Sequence, residues 1–430
     1  LVFNIQKEIY KLIILINYAN SYYRRGFNVL TKNYGPLTGV QILDISTMIA
    51  APFGATLLAD LGAEVTKIEL PGKGDTLRTV GPWKGTEPLR WPGLARNKKS
   101  VTLDIRSEEG AEIFKKLISG VDILIENFRP GTLEKWNLGY EELKKVNPKL
   151  VMVRVSGYGQ TGPYREKAGF GTPGTAFSGH TYLQGYSDRP PVSPSYSLLD
   201  YVTGIYTAFA CVSAIYHRDV HEQPEGQVVE MGLYESIFRM MEFLIAEYDQ
   251  NGKVRERSPG LAGHSSPAGT YETKDGKFVV LVCSTDSTFD RLAEAMERKD
   301  MLKDPRYYTN VERLKHDHEV QEIVSNWIKS FTQDELQAKL DSFGVPVSPI
   351  YSIEDIFNDP QYRERENIVE VEHPRLGKIK VPGVVPKFSH TPGAIRHRAP
   401  ELGEHNEEIL GGKLGLSSED LAVLKEKGVI

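Results

Sequence analysis

The 430-residue chain has only two cysteines, Cys211 and Cys283. Two thiols cannot build a disulfide framework or a cysteine-rich metal centre. Both sit in apolar runs and read as buried thiols of a reducing, cytoplasmic compartment. Excess positive charge is also missing: the formal net charge is −5, which leaves no basic footprint for nucleic acid. The one GxGxxG spacing, Gly157 to Gly162, ends at Pro163 in a turn rather than opening a helix, and no Walker loop occurs, so neither a nicotinamide nor an ATP site is signalled. No histidine precedes His180. The apolar stretch Ile9 to Tyr18 is interrupted by Lys11 and falls far short of the ~20 residues that cross a bilayer. Residues 1–34 therefore read as an amphipathic extension without chemistry, and no membrane partner is expected.

What remains is the composition of a soluble globular protein, 40% apolar and 25% charged, in a chain long enough for two cores. From Gly39 strand-like and helix-like segments alternate. Val40 to Ile45, Glu64 to Leu70, Ser100 to Leu103, Val121 to Ile125 and Leu150 to Val155 read as strands. Pro52 to Leu61, a helix capped by Ser107, and Tyr140 to Lys145 read as the intervening helices. This spacing predicts an α/β, doubly wound (Rossmann-like) parallel sheet, with ligands beyond the strands' carboxyl ends. The loops after Leu70 (PGKGDTLR), Ile125 (ENFRPGT) and Val155 (SGYGQTGP) are the ones to inspect. The cluster Arg96-Asn97-Lys98-Lys99 offers a local seat for phosphate in an otherwise acidic chain. Residues 35–220 form the first part of a large domain. Val228 to Gln250 follows a long amphipathic helix pattern. Residues 227–340 form a smaller α+β domain, with a hairpin turning at Lys274 to Lys277. Residues 341–430, rich in proline, read as a linker and a segment returning to the large domain.

One stretch pairs a carboxylate with small residues. From Ser195 it reads SYSLLDYVTGIYTAFACVSAIYH. Asp200 is read as opening a helix, where a carboxylate both caps free N–H groups and is held ionised by the helix dipole. Gly204, Ala208, Ala210 and Ala214 allow a second backbone to approach. By itself the segment leaves Asp200 as a cap, a nucleophile or both.

The order GVQILDIS, LLADLGAEVTKIE, GD, RNKKSVTLD, ENFRPGT, NPKLVMVRVSGYGQTGP, LLDYVTG, YHRD, GQVVEMGLYES and LGEHNEEIL resembles the family III CoA-transferases from about Pro36 to Leu410. That family also holds the carnitine-CoA and formyl-CoA transferases and the α-methylacyl-CoA racemases. The resemblance implies an acyl-CoA:carboxylate CoA-transferase in which Asp200 is the nucleophile. CoA thioesters would be its substrates, with no metal and no tightly bound cofactor. Coenzyme A contacts map onto Asn127, Phe128, Arg129 and Lys135, onto Arg106, and onto Asn97, Lys98 and Lys99. The family's glycine-rich oxyanion loop maps onto Pro259 to Ser266, with Gly260 and Gly263. Tyr158, His180 and Tyr196 are candidates to line the acceptor pocket, together with Tyr182. The resemblance also implies an interlocked homodimer. Racemases of the family use a His and an Asp; here Gly171 stands where their Asp lies and their early His has no counterpart, which argues against a racemase. A binding protein without turnover, with Asp200 only a cap, is the reading from another class.

Overall fold

The computed structural model describes residues 35–221, 225–258 and 263–430; the expected extension at 1–34 and Gly260 lie outside them. Six strands form one parallel sheet: β1 (Gln41–Asp44), β2 (Glu64–Glu69), β3 (Lys98–Thr102), β4 (Ile123–Glu126), β5 (Val151–Ser156) and β6 (Val228–Gly232). Their order is β3-β2-β1-β4-β5-β6. The chain thus winds outward from β1 in one direction, then returns to the centre and winds in the other. Such a sheet has a topological switch point between β1 and β4, where a crevice opens beyond the strand ends.

Both faces of the sheet are buried, as a parallel sheet requires, and alternation along each strand divides the core in two. Ile42, Val65, Ile125 and Val153 face helices α1 (Ala50–Asp60) and α4 (Leu198–Val220). Leu43, Ile68, Leu124 and Met152 face α2 (Glu108–Ile118) and the late residues Ile409, Leu410, Val429 and Ile430. Ser107 caps α2 as expected, its Oγ accepting from the Gly110 N–H at 3.0 Å. The short helix α3 (Gly171–Phe177) packs against α4.

The small-residue stripe of α4 brings it against α1. A methyl group on Gly204 would stand 2.7 Å from the Ala50 carbonyl oxygen, and one on Gly54 would stand 2.8 Å from the carbonyl oxygen of Gly204. Phe53 and Tyr201 meet edge to face at 4.9 Å. Gly204→Val is therefore expected to destabilise the protein by about 3 kcal/mol or more, at the upper end of overpacking costs. A denaturant midpoint equal to wild type would contradict this packing.

Two expectations change. The run from Val228 is not one helix: Val228–Gly232 is β6, paired with β5 in the register Val229↔Val153, and α5 (Leu233–Phe238) follows, with a further helix at Glu242–Asn251. The β-branched pair Val228-Val229 fits the open edge of β5, and Gly226 is needed there because any side chain would meet the Leu150 carbonyl oxygen at 2.0 Å. The sheet thus extends into the stretch expected to begin the smaller unit. That unit's own sheet is antiparallel, β9-β8-β7, from β7 (Ala268–Glu272), β8 (Phe278–Val282) and β9 (Val347–Pro349). Its core gathers Val279, Leu281, Phe289, Leu292, Val324 and Leu336.

The other change concerns Arg96 to Lys99. Arg96 pairs with Asp60 at 2.6 Å. The Asn97 amide donates to Asp60 and to the Ala394 carbonyl, while its oxygen accepts from the N–H groups of Arg396 and His397. Lys98 is buried against Asp44 at 2.9 Å and the Pro52 carbonyl at 2.7 Å. Lys99 pairs with Glu408. This cluster fastens the returning segment to the edge of β3, where His405 and Ser100 also exchange hydrogen bonds.

Candidate active site

At the switch point a cavity of about 190 Å³ is lined by the loop after β1 (Thr47, Met48, Ile49), the loop after β4 (Asn127, Phe128, Arg129), the end of β5 (Ser156, Gly157), residues 165–171 and Asp200. Phe128 and Thr47 also line a second cavity of about 310 Å³, together with Leu70, Ile105, Arg106 and Trp136. The two cavities form a path running from Asp200 past the loops after β1 and β4 towards Arg106.

A buried charge network fixes the β1 loop. Lys67 Nζ lies 2.9 Å from Asp75 Oδ2 and donates to the Ser46 carbonyl at 2.6 Å, with Asp44 at 3.8 Å. Asp75 Oδ1 in turn accepts from the Met48 N–H at 3.0 Å, holding Met48 at a left-handed φ of 69°. Burial opposes ionisation of Asp44, but Lys67 and Lys98 overcome it and hold its carboxyl below the usual range. Lys67→Met would leave Asp44 and Asp75 without this partner and is expected to cost about 3–5 kcal/mol. Unfolding of the variant at wild-type denaturant concentration would refute that role.

The β4 loop is braced as firmly. Asn127 Nδ2 donates to the Thr47 carbonyl and its Oδ1 accepts from the Thr47 N–H, both at 2.8 Å. Glu126 accepts from the Phe128 N–H and pairs with Arg154 at 2.6 Å, and Arg154 reaches Glu134 at 2.7 Å. Asn127 thus ties the two loops together, while the Arg129 side chain makes no ion pair among the described residues.

Asp200 is not the cap. The helix begins at Leu198 with Ser197 in the cap position, so Asp200 falls in the first turn, and its carboxyl faces the cavity. Burial pushes its pKa up to about 6, against the opposing pull of its own backbone N–H and of Arg90. The expected dipole-stabilised low pKa is therefore overturned by desolvation. The carboxyl fits because residue 171 is glycine: a methyl group there would stand 2.2 Å from Asp200 Oδ2. Beside it, the Ser156 hydroxyl is buried without a hydrogen-bond partner among the described residues. An orphaned buried donor in a cavity is a group for a ligand to satisfy.

The sequence candidates thus separate. Asp200, Asn127, Phe128 and Arg129 share one cavity and Arg106 lines the next, where it is paired to Asp104 at 2.7 Å. Lys135 is exposed on the helix Thr132–Lys135, beside Trp136. Asn97, Lys98 and Lys99 line neither cavity. Tyr158 packs with Tyr164, Phe177 and Tyr234, His180 precedes a short 3-10 turn, with burial pushing its pKa down, and Tyr196 is exposed; none of the three lines the Asp200 cavity. Gly263 is exposed at φ 84°, and no described residue of its loop reaches that cavity. Ser156 opens the SGYGQTGP loop singled out in the sequence; Met48, Arg165 and Lys167 carry no such signal there, and for Met48 strand order supplies it.

A half-buried carboxyl, Asp200, thus stands at the switch point of a doubly wound sheet. The family model of CoA-transferase family III matches residues 37–406, and the chain belongs to that family. It is 44% identical over 397 residues to the succinyl-CoA–D-citramalate CoA-transferase of Chloroflexus aurantiacus, covering 92% of this chain and 98% of the relative. It is 31% identical to the human succinyl-CoA:glutarate CoA-transferase, covering 93% and 91%. Among solved structures, a CAIB/BAIF family protein from Brucella suis superposes with a TM-score of 0.77 at 30% identity, covering 88% of this chain and 99% of that one. The protein is an acyl-CoA:carboxylate CoA-transferase, and CoA thioesters are its substrates.

Proposed function

We propose that Asp200 is the nucleophile and that the acids exchanged are short dicarboxylates, the kind named for the relatives. The observation that carries the first part is the Asp200 carboxyl, half-buried in the switch-point cavity with its pKa pushed up to about 6. The ionised carboxylate attacks the thioester carbonyl; the C–S bond breaks, giving a mixed anhydride and CoA thiolate. The thiolate then attacks the Asp200 carbonyl carbon, the anhydride C–O bond breaks, and the donor acid leaves as its carboxylate. The acceptor carboxylate attacks the resulting aspartyl-CoA thioester, and the same two steps run in reverse. Thioester energy is conserved throughout. Each step develops an oxyanion that needs a donor, a role for which the unpartnered Ser156 hydroxyl is placed. Phe128, Arg129 and Arg106 border the path suited to coenzyme A.

The racemase alternative lacks its acid and base: Gly171 supplies no carboxyl, and no histidine is among the described residues that line the cavity. A homodimer is part of this reading, supported by the apolar stripe Ile205, Phe209 and Tyr216 left exposed on α4; free, buried Cys211 and Cys283 fit a cytoplasmic setting. The test is intact and peptide mass spectrometry after incubation with succinyl-CoA and hydroxylamine. A hydroxamate on the Asp200 peptide is expected. Turnover with modification of a different residue would overturn the assignment.

A further inference from the structure

Among the described residues three cations border the Asp200 cavity, Arg129, Arg165 and Lys167, against a single acid, Asp200 itself. Arg129 belongs to the β4 loop that runs on towards Arg106. Arg165 and Lys167 belong instead to the loop between β5 and α3, and neither the nucleophile nor the coenzyme path calls for them. That loop is pinned at its base, where Gly157 and Gly169 cross so closely that a methyl group on Gly157 would lie 2.8 Å from the Gly169 Cα. The pinning holds residues 165–169 at the cavity wall. Among the described residues the Arg165 side chain pairs with its exposed neighbour Glu166, at 3.3 Å, and Lys167 lies 3.5 Å from the centre of the Tyr164 ring. Neither is committed to a buried carboxylate. Gly171 completes the arrangement, since an acid at that position would add negative charge directly beside Asp200.

We propose that Arg165 and Lys167 are specificity-determining residues that receive the distal carboxylate of a dicarboxylic acyl group while its other carboxyl reacts at Asp200. This rests on Asp200 being the nucleophile. The acyl part of an ordinary acyl-CoA is neutral and gives these cations no partner. A second carboxylate gives them a charge-assisted one, and the small cavity admits only a short chain between the two ends.

The test uses succinyl-CoA and butyryl-CoA, equal in length but with a methyl in place of the distal carboxylate. Formation of the aspartyl-CoA adduct is followed by intact mass in single turnovers, so the acceptor plays no part. Wild type is expected to favour succinyl-CoA by about 100-fold, and Arg165→Gln/Lys167→Gln to lose about 10- to 100-fold on succinyl-CoA, the range of charged hydrogen bonds. Its butyryl-CoA rate should fall by less than about 3-fold on the same scale, and Arg165→Lys should retain most of the preference. Equal losses on both donors, or an unchanged preference in the double variant, would overturn the subsite and leave Asp200 standing. Absence of any adduct in wild type would overturn the nucleophile and the subsite together.

Discussion

Asp200→Asn is expected to lower CoA transfer by roughly 10⁴- to 10⁶-fold, the scale seen on removing a covalent nucleophile, and at the same time to make the protein more stable at pH 7.5. The second effect follows from the direction of the shift. A carboxyl with a folded pKa of about 6, raised by burial above its ordinary 3.8, stabilises the fold relative to its ionised form only when protonated. That contribution is fully present below about pH 3.8 and is lost as pH rises through 6. At neutral pH the wild type carries the whole penalty, and the amide relieves about 1–3 kcal/mol of it. Thermal unfolding of both forms between pH 4 and 8 checks this: the gap should be widest above pH 7 and close towards pH 4. The same group sets the acid limb of activity, with kcat/KM falling tenfold per pH unit below about pH 6. A variant less stable at every pH would mean that Asp200 serves the fold.

Gly171→Ala is expected to cost about 100-fold in turnover, as ångström-scale misplacement of a reacting group does. The added methyl would occupy space 2.2 Å from Asp200 Oδ2 and 3.0 Å from Oδ1, so the carboxyl must rotate away. The backbone at 171 is not left-handed, so alanine fits its conformation and stability should stay near wild type. KM for the CoA thioester should move little, because the atoms nearest the added methyl all belong to the Asp200 carboxyl. Steady-state kinetics with a melting curve separates the outcomes. Full turnover would show that the carboxyl has room to spare.

The sequence made the sheet legible because β1 to β5 are apolar runs with caps and turns between them. It misplaced what depends on distant partners. Lys98 and Asn97 look like free polar groups until Asp44, Asp60 and residues 394–397 arrive to occupy them. Val228-Val229 fits a helical pattern equally well until β5 offers an edge. Asp200 stands out by its segment, but Ser156 and Arg165, which line the same cavity, come from the end of β5 and the loop before α3. The β1 loop, Ser46 to Ile49, carries no glycine and no charge. Only the reversal of strand order at β1 and β4 singles it out.

The contacts of Asn97 join residues some 300 positions apart, as do the Arg96 and Ser100 contacts around them. In folding terms this is the closure of a very long loop. Its entropic cost grows only with the logarithm of loop length, yet such non-local pairings slow the search. Asn97 accepts the N–H groups of Arg396 and His397 from a site shaped by α1 and β3. That site exists only after the sheet has assembled. The seam is thus a late-forming one, and the sheet must persist with the β3 edge unsheathed until it closes.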